Sequence, residues 1–183
     1  GKSYQGPSPE EVFIGNPRTR EGYGCYAPVI EASLQKILET VPGGEQFTVE
    51  NLTGSSLKTL ESHLEKGTPV MIWATGKMMA QTPGTTWTVE STGEQFTWQK
   101  GEHCLILKGY DVKNYIFMDP SDGGEVIYEK KVVEERYRQL GMQALSLKKS
   151  YHLPKKDWQS PDCGYKEDMI MGMTMTQKIL AAH

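Results

Sequence analysis

The sequence predicts an α+β fold, with helices first and an antiparallel sheet after them. Two observations carry this. Apolar residues at helical spacing fill residues 25–40 and 56–66, and from residue 69 to residue 147 the pattern is mainly strand. The strands follow one another without the regular crossover helices of a parallel βαβ array.

The elements follow in order. Residues 1–21 are rich in Pro, Gly and charge and read as an extended arm, with one short strand at 11–14. Gly22-Tyr23-Gly24 is a turn. Ile30, Leu34, Ile37, Leu38 and Val41 then mark a helix from near Cys25 to near Thr40. Pro28 suits its first turn, where a missing N–H leaves no bond unmade, and Pro42-Gly43-Gly44 ends it. Ser55 or Ser56 caps the helix 56–66, whose stripe is Leu57, Leu60 and Leu64 and whose stop is Gly67. Residues 69–74 form a buried strand. Residues 85–90 and 95–99 alternate around Ser91-Thr92-Gly93-Glu94 as a hairpin. The near-continuous apolar run 103–108 is a central strand, and 115–118 follows a turn at 111–114. A strand at 125–128, a short helix at 132–140 and a strand at 143–147 complete the core. Residues 148–183 read as an extension, with alternating Met169, Met171, Met173 and Met175 and a helix-favouring stretch at 177–182. One domain is expected over 1–183, with its core at about 12–147.

Composition narrows the function classes. The 183 residues are 37% hydrophobic and 23% charged, ordinary for a soluble globular chain and enough for a sizeable core. No apolar stretch nears the roughly 18 residues that span a bilayer. With a formal net charge of -3 and scattered Lys and Arg, nucleic acid is not an expected partner. The chain opens on Gly, which reads as a trimmed or mature chain relieved of a signal peptide, so an extracytoplasmic or secreted location is expected. Cys25, Cys104 and Cys163 are too few for a disulfide scaffold and lack the paired spacing of a zinc site. No cofactor and no metal are expected. A pairing of Cys104 with Cys163 stays open.

Nucleophile chemistry can be assembled from three residues. Cys25 sits where the Gly-rich turn meets the first helix. The unpaired N–H groups and partial positive charge of a helix start favour thiolate over thiol, and can stabilise an oxyanion. Equally, Cys25 can be a cysteine that packs beneath the loop. His103 opens the apolar strand, and a thiol nucleophile needs a base that titrates near neutrality. The other reading is a histidine satisfied at a strand end. His63 on the second helix, and His152 and His183 near the C-terminus, are weaker bases. Asp119 ends the next strand. If the two strands pair around residues 111–114, His103 and Asp119 stand at nearly equal distances from the turn, where an acidic group holds the imidazole tautomer. Asp119 can also cap the turn at 120–124, and the two roles are compatible. Asp111 and Asp122 read as turn residues. Cys104 should face away from His103, into the core.

Taken in order, Gly24-Cys25, then Glu102-His103-Cys104-Leu105-Ile106-Leu107-Lys108-Gly109-Tyr110-Asp111, then Phe117-Met118-Asp119-Pro120 with Gly123 behind it, form a pattern. It resembles the papain-like cysteine peptidases of the bacteriocin-processing type, most closely their bacterial peptidase-like branch, over about residues 12–147. The resemblance implies a papain-like fold, with a nucleophile helix packed on an antiparallel sheet that carries His and Asp. It implies Cys25 as nucleophile, His103 as base, Asp119 as the group that orients the base, and a peptide or protein substrate. The family commonly places a Gln several residues before the Cys as oxyanion donor. The nearest amide here is the shorter Asn16, in Gly15-Asn16-Pro17. Tyr26-Ala27-Pro28 also departs from the commoner small or acidic residues, and residues 148–183 have no counterpart.

Relatives that cut leader peptides after two glycines belong to membrane exporters, so that substrate does not carry over. A peptidase, a cell-wall amidase and an acyl transferase using the same triad all stay open. So does a peptide- or glycan-binding module without turnover. In that last case the cleft would be lined by Trp73, Trp87 or Trp98, which otherwise pack the core.

Overall fold

The structure, a computed structural model, describes residues 4–19 and 21–150. A two-residue strand β1 (Gln5–Gly6) precedes helix α1 (Ala27–Thr40), and Pro28 lies in the first turn of α1. The chain reverses at Gly43, whose φ of 80° suits only glycine without strain. Then come β2 (Phe47–Asn51) and α2 (Leu57–Leu64). The Ser56 hydroxyl caps α2 by accepting the Thr59 N–H at 3.2 Å. The remaining elements are β3 (Val70–Thr75), β4 (Thr82–Val89), β5 (Gln95–Lys100), β6 (Glu102–Tyr110), β7 (Asn114–Asp119), β8 (Gly124–Glu129), α3 (Lys130–Gln139) and β9 (Ala144–Lys149).

The main sheet runs β2-β9-β3-β6-β7-β8, and its neighbouring strands pair antiparallel. A smaller sheet joins β1, parallel, to the β4–β5 hairpin. Strand alternation divides the core between the two faces of the main sheet. Val70, Ile72 and Ala74 face one way, with Leu57 and Leu60 of α2 and Val133 and Tyr137 of α3. Met71 and Trp73 face the other way, with Ala27, Ile30 and Leu34 of α1. The result is an α+β fold of three layers, with the first helix on one face of an antiparallel sheet and two later helices on the other.

Three expectations are corrected. Residues 11–14 form no strand; a single bridge joins Ile14 to Gly24. Strand β2 escaped the sequence reading because it is a short, mostly exposed edge strand whose alternation is confined to Phe47, Thr48, Val49 and Glu50. Only the first half of the α1 stripe is used, and Ile37 and Val41 stay 51% and 42% exposed. Strand β9 runs on to Lys149, two residues past the strand end expected at 147. Trp73, Trp87 and Trp98 are all buried, which makes them packing residues. No helix among the described residues is long and apolar enough to cross a membrane. His152, Cys163, the alternating methionines, the stretch 177–182 and His183 lie outside the described residues.

Candidate active site

Cys25 immediately precedes Tyr26, the N-cap residue of α1. Its segment is tied down from several elements. Trp73 Nε1, on β3, donates to the Cys25 carbonyl at 2.8 Å. The Tyr26 N–H donates to the Pro9 carbonyl at 2.8 Å. The Ala27 N–H donates to Gln143 Oε1, just before β9, at 3.0 Å. Tyr26 stacks on Trp98 at 5.9 Å, and Tyr23 meets the same ring edge-on at 5.6 Å.

These ties overturn one expectation. The helix start does not favour thiolate here. The Tyr26 and Ala27 N–H groups are spent on Pro9 and Gln143, and Pro28 has none. Burial pushes the Cys25 thiol up to about 11, and the Glu102 carboxylate adds to the push. Among the described residues the Cys25 N–H itself has no partner. Iodoacetamide labelling of Cys25 in the free protein should therefore climb about tenfold per pH unit from pH 7 to pH 9, in step with the thiolate fraction. A plateau below pH 8 contradicts this.

His103 and Asp119 are in direct contact. His103 Nε2 donates to Asp119 Oδ1 at 2.7 Å. The same oxygen accepts the Ser121 N–H at 2.8 Å, so Asp119 also caps its turn. Asp119 is 3% exposed. Burial works against its carboxylate, but the His103 ring and the Ser121 and Asp122 N–H groups outweigh it, and the pKa is lowered. With Nε2 bonded to Asp119, Nδ1 is the ring nitrogen left to take a proton.

A lowered pKa in the folded state means stability that is present above the unfolded pKa and lost as pH falls through the folded one. Asp119→Asn should therefore lose less stability than the parent on acidification below about pH 4. Urea unfolding from pH 5 to pH 2 measures this.

The meeting of His103 with Asp119 depends on one extra residue. Tyr110 pairs with Tyr115 and Gly109 with Ile116, a register that would bring Ile106 opposite Asp119. Lys108 bulges out, and Leu107 pairs instead with Phe117 and Ile106 with Met118. Asp119 thereby comes level with Leu105, on the face that His103 shares.

Cys25 is placed differently. Trp73, which holds its carbonyl, pairs with Cys104, while His103 pairs with Ala74. Cys104 packs toward α1 and Leu105 toward α2 and α3, so His103 and Glu102 leave opposite faces of β6. Glu102 is the group brought against Cys25. Among the described residues no hydrogen bond joins the Cys25 sulfur to the His103 ring. Asn16 sits in an exposed turn of its own, where its Oδ1 accepts the Arg18 N–H at 3.0 Å and its carbonyl accepts the Thr19 N–H at 3.2 Å. None of these bonds reaches Cys25. His63 lies 3.8 Å from Glu50, remote from this chemistry, and Asp111 caps its own turn by accepting the Lys113 and Asn114 N–H groups. Among the described residues Cys25 and Cys104 are free thiols, and the open pairing of Cys104 with Cys163 falls outside them.

Sequence reasoning missed two residues here. Gln143 is a buried polar side chain that anchors the start of α1, and nothing in the pattern around it announces a contact 116 residues away. Glu102 could have been noticed as a charge directly before His103. Gly24 makes room for it, with φ at 139° and a hypothetical Cβ only 2.6 Å from Glu102 Oε2 and 3.3 Å from Trp98. Gly24→Ala should destabilise by about 1–3 kcal/mol from backbone strain and this collision, read in a thermal melt. An unchanged melting temperature would mean that Glu102 moves aside freely.

Comparison with known proteins places this geometry among relatives. Residues 4–145 match the Peptidase_C39 like family. The chain is 26% identical over 141 residues to the uncharacterized protein YvpB of Bacillus subtilis (strain 168), an alignment covering 77% of this chain and 53% of that protein. It thus spans about half the length of that curated relative. A solved structure of a candidate C39-like peptidase from Bacillus anthracis is similar with a TM-score of 0.66 at 26% identity, over 81% of this chain and 76% of that one.

Proposed function

The chain belongs to the Peptidase_C39 like family, and on that premise we propose that it is a cysteine peptidase-like hydrolase that cuts peptide or amide bonds through Cys25, His103 and Asp119. The observation that carries this reading is the 2.7 Å bond from His103 to Asp119, which leaves Nδ1 unbonded and able to act as a base.

With burial raising the thiol pKa, the chemistry starts from the thiol and needs a base. His103 Nδ1 takes the thiol proton as Cys25 Sγ attacks the substrate carbonyl carbon, which requires the start of β6 to rearrange on peptide binding, since His103 and Glu102 leave opposite faces of that strand. The unpartnered Cys25 N–H donates to the oxyanion. The C–N bond then breaks, and the imidazolium protonates the leaving amine. Water, deprotonated by His103, releases the acyl group. Asp119 holds the ring tautomer throughout.

Cleavage of a peptide library by the parent and by Cys25→Ala tests this. Activity should fall by at least about 10³-fold in the variant. Cleavage that survives Cys25→Ala defeats the reading. A second reading, a peptide-binding module without turnover, is favoured by the thiol near 11 and by the missing sulfur–imidazole bond. It predicts that the parent binds peptides and cuts none.

A further inference from the structure

Glu102 has no part in the chemistry just described, yet it sits against it. Its carboxylate lies directly beside the Gly24 backbone, in a space only glycine leaves open. The side chain is half-buried. Among the described residues no cation and no hydrogen-bond donor pairs with it. An unpaired carboxylate withdrawn from water is unfavourable, and it is resolved by protonation or by a partner. The carboxylate also borders an open depression of about 520 Å³, shared with Glu21, Tyr23, Trp98 and Lys100. Tyr23 there is 48% exposed, and aromatic faces attract cations.

We infer that this depression is a subsite for a cationic group, an ammonium or guanidinium, with Glu102 as its specificity-determining residue. The inference deepens the peptidase reading and rests on it: Glu102 lines the depression and also acts on the Cys25 thiol, so the cation belongs to a residue flanking the bond that is cut. Burial pushes Glu102 up to about 8. In the empty site near neutrality the carboxyl is therefore mostly protonated, and a bound cation drives its ionisation. The same cation balances the charge it draws out of Glu102, so ionisation on binding adds no further push on the Cys25 thiol. The titratable groups facing Glu102 are Cys25 and Tyr26 at the start of α1, Cys104 on β6, and Glu21, Tyr23 and Lys100 around the depression.

Thiol-directed reagents read the subsite in the full chain without peptide turnover. Methanethiosulfonates form a disulfide with a thiolate and expel methanesulfinate. The 2-(trimethylammonium)ethyl reagent is cationic at every pH and the methyl reagent neutral. Labelling of Cys25 is followed by mass spectrometry of its peptide, and the cationic-to-neutral rate ratio is divided by that of 2-mercaptoethanol. At pH 9 the normalised ratio in the parent should be on the order of tenfold. It should decline toward one by pH 6 as the carboxyl protonates, and lie within about twofold of one in Glu102→Gln. A parent ratio near one at pH 9 overturns the inference, as does an undiminished ratio in a folded Glu102→Gln. The pH series alone decides the matter if that variant does not fold. A protein that shows the preference but cuts no peptide loses the peptidase reading and keeps the cationic subsite.

Discussion

His103→Ala is expected to lower peptide turnover about 10³-fold, the size of a lost general base. Stability should change far less, because His103 lies at the very start of β6 and its side chain bonds to Asp119 and, at 3.5 Å, Ser121. Asp119 grades the same effect. Asp119→Ala leaves the ring tautomer unheld and should cost about 10²-fold in kcat/KM. Asp119→Asn keeps an oxygen able to accept from both His103 Nε2 and the Ser121 N–H, so it should retain most of the activity that the Ala variant loses. The measurement is kcat/KM on whichever library peptide the parent cuts best, with thermal melts alongside. If the Asn and Ala variants are equally slow, negative charge rather than hydrogen-bond acceptance is what Asp119 supplies.

Trp73→Ala is expected to be the largest single loss of stability, about 3–5 kcal/mol. The indole is 1% exposed and joins the sheet to the α1 layer, among Tyr26, Ala27 and Leu145. Such a loss is a large part of a typical domain's total stability. Trp73→Phe separates packing from the hydrogen bond. It keeps an aromatic ring but leaves the Cys25 carbonyl without its donor, at a cost of about 1–3 kcal/mol. That variant should also change the Cys25 labelling rate, since the indole holds the Cys25 backbone. Urea unfolding midpoints read both variants. A loss below about 1 kcal/mol for Trp73→Ala would mean that α1 does not depend on this residue for its seat on the sheet.

Much of the fold was legible because periodicity is a local property. Leu57, Leu60 and Leu64 mark α2 by their spacing, Gly67 marks its end, and the run from His103 marks the central strand. Cys25, His103 and Asp119 were legible as candidates for the same reason: each stands at an element boundary that the pattern of apolar residues reveals. Tertiary structure alone decided how those boundaries meet. The one-residue bulge at Lys108 puts Asp119 on the face of His103, and no sequence period encodes an unpaired residue. The helix start that seemed to favour a thiolate does not, because Pro9 and Gln143, distant in sequence, take its N–H groups while burial penalises the charge. Register and desolvation are sums over long-range contacts, whereas helix and strand preference are sums over neighbours. The sequence by itself therefore determined which residues are available for chemistry, and the packing of three layers determined the state in which Cys25 waits and the acidic neighbour, Glu102, beside it.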